Sequence, residues 1–597
     1  MPLPELTMTW QPVPGKLLTR WAAGVTPETA WREYPRPQLV RPAWQNLNGL
    51  WEYAVTPLGR NDFPGAEGQI LVPFALESAL SGVGRALRPD ERLWYRRSFT
   101  VPSAWRGRRL LLHFGAVDWQ AEVRVNGTPV GTHRGGYLPF CFDVTAALRL
   151  GANELVVAVS DPTDSSWQAR GKQVLRPKSI WYTAVSGIWQ TVWLEPVPQA
   201  FIAGLRLTPD VDAGELRVEI QPGGASTGRG SARLRVTDGG KLVADVHALP
   251  GEPIRIPMPN ARLWSPADPH LYDLSVEAGE DRVVSYFAMR KFGLAKDAQG
   301  CPRLCLNDRP LFQFGPLDQG YWPDGLYTPP SEEAMKFDLD VVQRLGCNML
   351  RKHVKVEPAR FYYECDRRGL IVWQDMPNGA APVGDVPSFL AILFGSRRRD
   401  RNYRYAGRRD PAGREDFRRE LKELVDALYN HPCIGMWVPF NEGWGQFDAR
   451  ATAEWLKAYD PTRTVDHASG WWDQRAGDCR SLHVYFKKLP LERPEAGRAL
   501  VLSEFGGYSL KLEGHLWNPA AEFGYGKHPD RASLTAAYLE LLERQLRPWI
   551  AAGLSAAVYT QLTDVEIEVN GYLSYDREVE KLDFEQLHEK HRALPAA

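Results

Sequence analysis

The sequence predicts a multidomain chain: an N-terminal jelly-roll β-sandwich, an immunoglobulin-like β-sandwich and a C-terminal (β/α)8 TIM barrel. Three observations predict it. Short runs of alternating apolar and polar residues, parted by turn dipeptides, fill the first 290 or so residues without a long helical pattern. From about residue 295 strand and helix patterns alternate instead. The 597 residues allow roughly four domain-sized units, or two small ones and one large.

The first sandwich is expected within residues 1–197, with strands over about 40–196. Its runs are Arg109 to Phe114, Ala121 to Val125, Glu154 to Ser160 and Gln190 to Leu194, with turns at Asn126-Gly127 and Gly135-Gly136. Pro196-Val197-Pro198 punctuates the chain. The second, 198–292, carries the runs Phe201 to Leu207, Glu215 to Ile220, Ala232 to Val236 and Val283 to Met289. Gly223-Gly224 and Gly239-Gly240 turn it, and a span of about 90 residues suits a small immunoglobulin-like sandwich. No Cys…Trp…Cys pattern marks it as an antibody-type domain.

The barrel is expected over 293–597. Eight strand candidates are Leu311–Phe314, Asn348–Arg351, Leu370–Gln374, Ile434–Val438, Thr464–Asp466, Leu482–Val484, Leu500–Ser503 and Ala556–Thr560. Helical patterns fall between most of them. One runs from Ser331 to Leu345, with Met335, Leu339, Val342 and Leu345 on one stripe. Another has Pro358 in its first turn, and others cover about 414–430, 449–459 and 533–550. Eight such units in about 300 residues is the barrel count, and barrels place chemistry at the C-terminal ends of their strands.

Composition excludes several classes. Lys+Arg and Asp+Glu are both 72, so net charge is zero, which argues against a nucleic-acid binder acting through bulk basic charge and against an acidic disordered chain. The 22 Trp, 22 Tyr and 22 Phe supply core, and an aromatic excess also suits proteins that stack rings on sugars. The seven cysteines form no CxxC pair, and Cys301 and Cys305 have no second pair or His cluster to complete a zinc site. They read as free thiols in a reducing compartment. The N-terminus lacks a basic, then apolar, leader pattern, and no run of 18 apolar residues exists. The expectation is a cytoplasmic protein without a membrane partner, acting on something small enough to be imported.

Two strand ends stand out. The fourth reads Cys433-Ile-Gly-Met-Trp-Val-Pro-Phe-Asn-Glu-Gly-Trp-Gly-Gln446, an apolar run ending in Asn441-Glu442. Walls such as Trp437, Phe440 or Trp444 would raise the Glu442 pKa, as a general acid requires. The seventh reads Ala499-Leu-Val-Leu-Ser-Glu-Phe-Gly-Gly507 and ends in Glu504. One such Glu alone is more often a surface residue. Two, facing each other across a barrel mouth, can cleave a glycosidic bond.

The order sandwich, sandwich, barrel, with Asn441-Glu442 and Ser503-Glu504-Phe505-Gly506, resembles glycoside hydrolase family 2, which includes β-galactosidases, β-glucuronidases and β-mannosidases. Tyr95-Arg-Arg-Ser-Phe-Thr-Val-Pro102 and Val123-Arg-Val-Asn-Gly127 resemble its sugar-binding domain. Asn348-Met-Leu-Arg-Lys-His353, Cys365-Asp366-Arg-Arg-Gly-Leu-Ile371 and Asn430-His-Pro-Cys-Ile434 resemble its barrel, so the likeness covers about 40–585. It implies Glu442 as acid/base and Glu504 as nucleophile of a retaining reaction, their carboxyl groups about 5–5.5 Å apart. It implies Asn441 on the sugar 2-OH, Arg351 keeping the nucleophile ionised, Tyr485 hydrogen-bonding the nucleophile and His353 touching sugar hydroxyls. Position and chemistry add Trp444 near the acid/base, Asp318 and Asp375 as acceptors for hydroxyls, and Trp322 as a stacking face.

The sugar is less legible. The family's glucuronidases carry an Asn-x-Lys motif late in the barrel, whereas Val569-Asn-Gly-Tyr-Leu-Ser-Tyr575 keeps Asn570 and has Tyr572 in place of the lysine. A buried uronate would lack its cation. The expectation is a retaining exo-β-glycosidase of β-galactosidase type on a small oligosaccharide or glycoside, with no cofactor and no metal. β-Glucuronidase, β-mannosidase, β-galactofuranosidase and arabinosidase specificities stay open, as does a non-catalytic carbohydrate-binding role. The loop Asp318 to Thr328, with three aromatics, and the connection from about 376 to 412, with Pro377, Gly379, Pro382, Gly384 and Arg397-Arg-Arg399, are expected to wall a pocket. The connection reads equally as a surface excursion or a homo-oligomer contact.

Overall fold

The computed structural model describes residues 10–149, 151–224, 231–249, 253–382, 400–485, 488 and 494–595. Gly384 and Arg397–Arg399 of the expected loop lie outside these.

The first sandwich pairs a six-stranded antiparallel sheet, in the order Gly68–Val72, Gly49–Pro57, Glu91–Thr100, Ala152–Ser160, Gln120–Val125, Thr128–Arg134, with a four-stranded one, Gln45–Asn46, Val192–Val197, Arg109–Phe114, Phe140–Asp143. Alternation along each strand turns Leu93, Tyr95, Val123, Val125, Leu155, Val157, Leu110 and Leu112 into one shared core. Trp94, Val156 and Ala158 face the other way and pack in a smaller cluster. The second sandwich sets three strands, Ala200–Asp210, Glu215–Gly224 and Ile254–Pro257, against four, Lys241–Ala248, Ala232–Asp238, Tyr272–Ala278 and Asp281–Phe287. Buried Arg41 joins the sandwiches, its guanidinium 3.2 Å from Glu195 and 2.7 Å from Asp281.

The barrel strands are β1 (Gln313–Asp318), β2 (Met349–Lys352), β3 (Ile371–Asp375), β4 (Ile434–Val438), β5 (Thr464–Val465), β6 (Cys479–Val484), β7 (Ala499–Gly506) and β8 (Leu554–Thr560). They pair in parallel in the order β5-β4-β3-β2-β1-β8-β7-β6, so the ring closes except between β5 and β6. Their residues are nearly all buried, because a parallel strand has side chains packed on both faces. Strand β1 begins two residues later than expected. Leu311 still hydrogen-bonds back to Leu304, continuing a small antiparallel sheet of Phe292–Lys296, Pro302–Leu306 and Arg309–Pro310.

The helices follow their signals. Helix α1 (Glu332–Arg344) is capped by the Ser331 side chain on Ala334 N. Pro358 precedes α2 (Ala359–Arg368), and Gly369 ends it at φ 72°. Helices α3 (Pro411–Leu428) and α4 (Ala449–Tyr459) lie where the apolar stripes put them. Helix α5 (Arg531–Leu541) runs on through Ala551, and α6 (Phe584–Arg592), which the pattern reading missed, closes the chain.

Two quoted motifs turn out to be joints. Asp366 of α2 accepts from Tyr286 OH and Cys433 N and meets His431 Nδ1 at 2.7 Å. Asn430 bonds Leu205 O and Leu207 N. Together they lock the second sandwich beneath the barrel. The aromatic excess is largely core, with Trp51, Trp94, Trp189, Trp193, Trp264, Trp373 and Trp437 fully enclosed. All seven cysteines are free thiols. No helix of the described residues is long and apolar enough to cross a membrane.

Candidate active site

Both glutamates sit at the barrel mouth, where β4 and β7 end. Glu442 follows β4 with a backbone φ of 50°, in the left-handed region that a residue with a Cβ adopts at a cost of about 1 kcal/mol. Its N–H is anchored on Ser469 O at 2.9 Å, which helps hold the turn. Glu504 lies within β7. The pairing of β7 with β6 shifts register between Leu482 and His483, and its pairing with β8 shifts between Leu502 and Phe505. Such irregularities re-aim side chains, as at many active sites. Oxygens of Glu442 and Glu504 come within 4.8 Å of one another, and both residues are more than nine-tenths buried.

Arg351, at the end of β2, ties the site together. Its Nη1 donates to Glu504 Oε1 at 3.0 Å, its Nη2 to Asn441 Oδ1 at 2.8 Å, and Nε with Nη2 forks onto both oxygens of Asp375. A planar guanidinium can serve three partners in this way and an ammonium cannot. Tyr485 donates its hydroxyl hydrogen to Glu504 Oε2. His353 meets Asp375 Oδ2 at 3.0 Å through Nδ1, while its buried Nε2 has no partner among the described residues. The amide nitrogen of Asn441 is likewise unpartnered. With Nδ1–H donating to a carboxylate, Nε2 of the neutral His353 ring is an acceptor; a buried acceptor and a buried amide donor left open beside a carboxylate pair are the mark of a site awaiting a polyhydroxylated ligand.

The electrostatics separate the carboxyls. Burial raises Glu442, and the nearby Glu504 charge adds to this, against a hydrogen bond and positive charge from His483. Burial also works against an ionised Glu504, but the combined field of His483, Arg351 and Lys172 outweighs it and holds that carboxyl below the usual range. One group is thus kept as an acid and the other as an anion. His353 is pushed well down by burial and stays a neutral ring.

Three expected ligand contacts do not stand. Asp318 is a counter-ion: its Oδ2 accepts from Lys352 at 2.8 Å and its Oδ1 from Gly320 N at 2.9 Å, within a buried group that includes Lys355 and Glu357. Asp375 has both oxygens engaged by Arg351 and His353, so it orients those two instead of reading a sugar. Trp322 is enclosed, with the Arg577 guanidinium 3.9 Å above its ring and Trp21 edge-on at 6.1 Å, so no face is left for a sugar. The other aromatics of the 318–328 loop, Tyr321 and Tyr327, meet at 4.6 Å with their planes tilted by 58° and pack against Tyr182 and Tyr137 of the first sandwich. They form an interdomain layer, not a pocket wall.

Trp444 is half-buried, with its ring 4.8 Å from Trp181 and 6.5 Å from His353. Trp181 belongs to a first-sandwich segment, residues 170–183, laid across the barrel mouth. Arg170 and Gly171 N–H groups bond Asn378 O, and Arg170 Nη1 bonds Ala380 O at 2.9 Å. The fit is close: a Cβ on Gly171 would lie 2.6 Å from Val354 O, and one on Gly379 2.0 Å from Gln168 O. This segment brings Lys172 near the carboxylates, a residue the sequence reading missed. It missed His483 as well. His483 Nδ1 lies 2.8 Å from Glu442 Oε1 and Nε2 lies 3.5 Å from Glu504 Oε1. Here a signal existed, since His483 and Tyr485 stand two apart on one strand and so share a face. Tyr485 stacks on Tyr525 at 4.1 Å, completing that side.

Glu442, His483 and Glu504 are also close enough to contact one metal ion. The donor set fits a metal poorly, since Glu504 already gives one oxygen to the Arg351 guanidinium and accepts from Tyr485 on the other.

Comparison with known proteins agrees along the chain. Residues 85–198 match the model of the glycosyl hydrolases family 2 sugar-binding domain, 200–294 that of glycosyl hydrolases family 2, and 330–494 that of the family's TIM barrel domain. A β-galactosidase of Thermoanaerobacter pseudethanolicus is 26% identical over 376 residues, 60% of this chain and 45% of that protein. A β-glucuronidase of Paenibacillus borealis is 24% identical over 462 residues, 72% of this chain and 73% of its own. Several of the curated relatives are much longer, and the match to the first spans under half of its length. Among solved structures, a β-glucuronidase of Ruminococcus gnavus superposes with a TM-score of 0.75 at 17% identity, covering 94% of this chain and all of that one. A GH2 β-galacturonidase of Eisenbergiella tayi bound to galacturonate gives 0.69 at 20% identity, covering 94% and 99%. Three consecutive domain matches in the family's order, with the paired carboxyls at the mouth of the third domain, leave one assignment: the chain belongs to glycosyl hydrolase family 2.

Proposed function

We propose that the protein is a retaining exo-β-glycosidase, with Glu442 as acid/base and Glu504 as nucleophile, acting on a neutral terminal sugar in the manner of a β-galactosidase. The observation that carries this reading is the carboxyl pair itself, within 4.8 Å and driven to opposite protonation states. That spacing suits direct attack on the anomeric carbon. An inverting enzyme needs roughly 6.5–9.5 Å to admit water between its carboxyls. In the first step Glu504 attacks while Glu442 protonates the leaving oxygen. In the second, Glu442 takes a proton from water, which displaces Glu504. Arg351 and Tyr485 hold Glu504 in position, and Asn441, fixed through its carbonyl oxygen, keeps an N–H₂ for a hydroxyl.

A neutral glycone is supported at the segment where family glucuronidases have their lysine. Asn570 donates to Glu568 Oε1 at 2.9 Å, Tyr572 OH pairs with Tyr538 OH, and Lys581 is engaged by Asp564 and Val569 O. That corner therefore presents a carboxylate where a uronate would need a cation. A terminal, pocket-type mode is supported by Trp181, Trp444, Tyr485 and Tyr525 around the carboxyls. Cytoplasmic location is part of the proposal, in keeping with seven unpaired thiols.

A panel of nitrophenyl β-glycosides tests the reaction and ranks the sugars. Glu504→Ala should abolish turnover, with azide restoring some of it as the inverted glycosyl azide. Glu442→Ala should spare substrates with the best leaving groups. Near-wild-type activity in both variants would move the chemistry elsewhere, and early internal fragments from a β-linked oligosaccharide would exclude the pocket.

A further inference from the structure

Among the described residues, the mouth of the barrel holds a cation without a protein acceptor. Lys172 is 5% exposed, and no hydrogen bond or ion pair to a described residue engages its ammonium. Nζ lies 5.4 Å from the Tyr182 ring centre and 5.7 Å from that of Trp444. Its charge acts on His353, Glu442 and Glu504 alike, so it lies within electrostatic reach of the carboxyl pair. Every other buried lysine around β1 and β2 has an acceptor: Lys352 is held by Asp318 and Glu357, and Lys355 by Glu357 and two carbonyls. An ammonium at the mouth with no acceptor among the described residues is open to one from a ligand.

We infer that Lys172, carried by the first sandwich, is a glycone-binding residue whose ammonium donates to a hydroxyl oxygen of the sugar lying over Glu442 and Glu504. The inference rests on the glycosidase reading above and extends it to a second domain. His353 Nε2, an acceptor in the neutral ring, and Asn441 Nδ2, a donor, are buried at this site without partners among the described residues. The two donors and the ring acceptor, with the Trp444 face, would hold one sugar by its hydroxyls. Charge balance favours a hydroxyl over a carboxylate. Before Lys172 is counted, Arg351, Lys352 and Lys355 already face the carboxylates of Asp318, Glu357, Asp375 and Glu504. A substrate carboxylate would add an uncompensated buried charge beside Glu568. The bridging position also gives residues 170–183 a reason to be clamped onto the barrel through Asn378 and Ala380.

The test is Lys172→Met, which keeps the stem between the two rings and removes the donor. Rates are measured for 4-nitrophenyl β-D-galactopyranoside, or whichever aryl glycoside the panel ranks first, for its monodeoxy analogues and for 4-nitrophenyl β-D-glucuronide. The expected result is a fall in kcat/KM of about 10- to 100-fold on the parent sugar, the usual range for a lost charged hydrogen bond, with an unchanged melting temperature. On one deoxy analogue, the one lacking the contacted hydroxyl, wild-type and K172M rates should converge. Equal losses on every analogue would overturn the contact. A wild-type preference for the glucuronide that K172M abolishes would make the residue a carboxylate receptor and overturn it too. If the wild-type protein releases nitrophenol from nothing, the reaction reading fails separately. Calorimetric titration of D-galactose into both proteins then decides Lys172. A heat weakened in K172M supports the contact, and equal heats or none overturn it.

Discussion

Replacing His483 with leucine should move the whole pH–rate profile to higher pH. His483 Nδ1 lies 2.8 Å from Glu442 Oε1, its side chain is fully buried, and the groups facing it are Glu442, Glu504 and the Ser469 hydroxyl. Burial already raises Glu442, and the His483 hydrogen bond is the largest influence opposing it. A hydrogen bond to a charged group contributes about 1.5–3 kcal/mol, and one pKa unit is about 1.4 kcal/mol. Its loss therefore raises the Glu442 pKa further, and with it the basic limb of kcat/KM, which reports the general acid of the free enzyme. Burial also opposes ionisation of Glu504, and His483 is the leading group that offsets it, so the acidic limb should rise as well. The assay is kcat/KM against pH for an aryl glycoside with a poor leaving group, which needs protonation by Glu442. A basic limb that stays in place or moves to lower pH would refute the role given to His483. A lowered melting temperature alone would assign it to packing.

Two further outcomes follow from the same geometry. Tyr485→Phe removes the hydroxyl from Glu504 Oε2 but leaves the stack on Tyr525. It should cost about 10- to 100-fold in kcat with little change in melting temperature, by the strength of a charge-assisted bond. Asp318→Asn should act on stability, because it strips a counter-ion from fully buried Lys352. Breaking such a pair costs about 3–5 kcal/mol, read by chemical denaturation. In the wild-type protein burial works against an ionised Asp318, but the Lys352 charge prevails and depresses its pKa. The stability it adds is thus present above the unfolded value, about 3.9, and is lost as pH falls through the lower folded value. Denaturation curves of the wild type should show that loss below about pH 4, and those of the Asn variant should lack that part of it.

The limits of the sequence reading follow from which interactions are local. Parallel barrel strands are buried on both faces, so they appear as continuous apolar runs, and a carboxylate ending such a run is visible at once. Glu442 and Glu504 were legible for that reason, and their opposed environments could be argued from flanking Trp, Phe and a distant arginine. Asp318 and Asp375 end strands in the same way, yet each is a counter-ion. What separates the two kinds is the identity of the neighbour across the sheet, Lys352 beside Asp318 and Arg351 beside Asp375, and that pairing comes from tertiary register. Trp322 failed for a related reason, since an aromatic near a site is as well spent on packing, and only Arg577, some 250 residues away, shows which it is. His483 was legible through its two-residue spacing from Tyr485 and was passed over. Lys172 was not legible at all. Nothing local in Arg170-Gly-Lys-Gln173 speaks of catalysis; its meaning arises when Gly171 and Gly379 let the first sandwich close on the barrel. The first sandwich is then more than an appendage. It supplies Trp181 and Lys172 to the mouth of the barrel, and its removal would open one wall of the pocket and take the Lys172 charge away from Glu442 and Glu504.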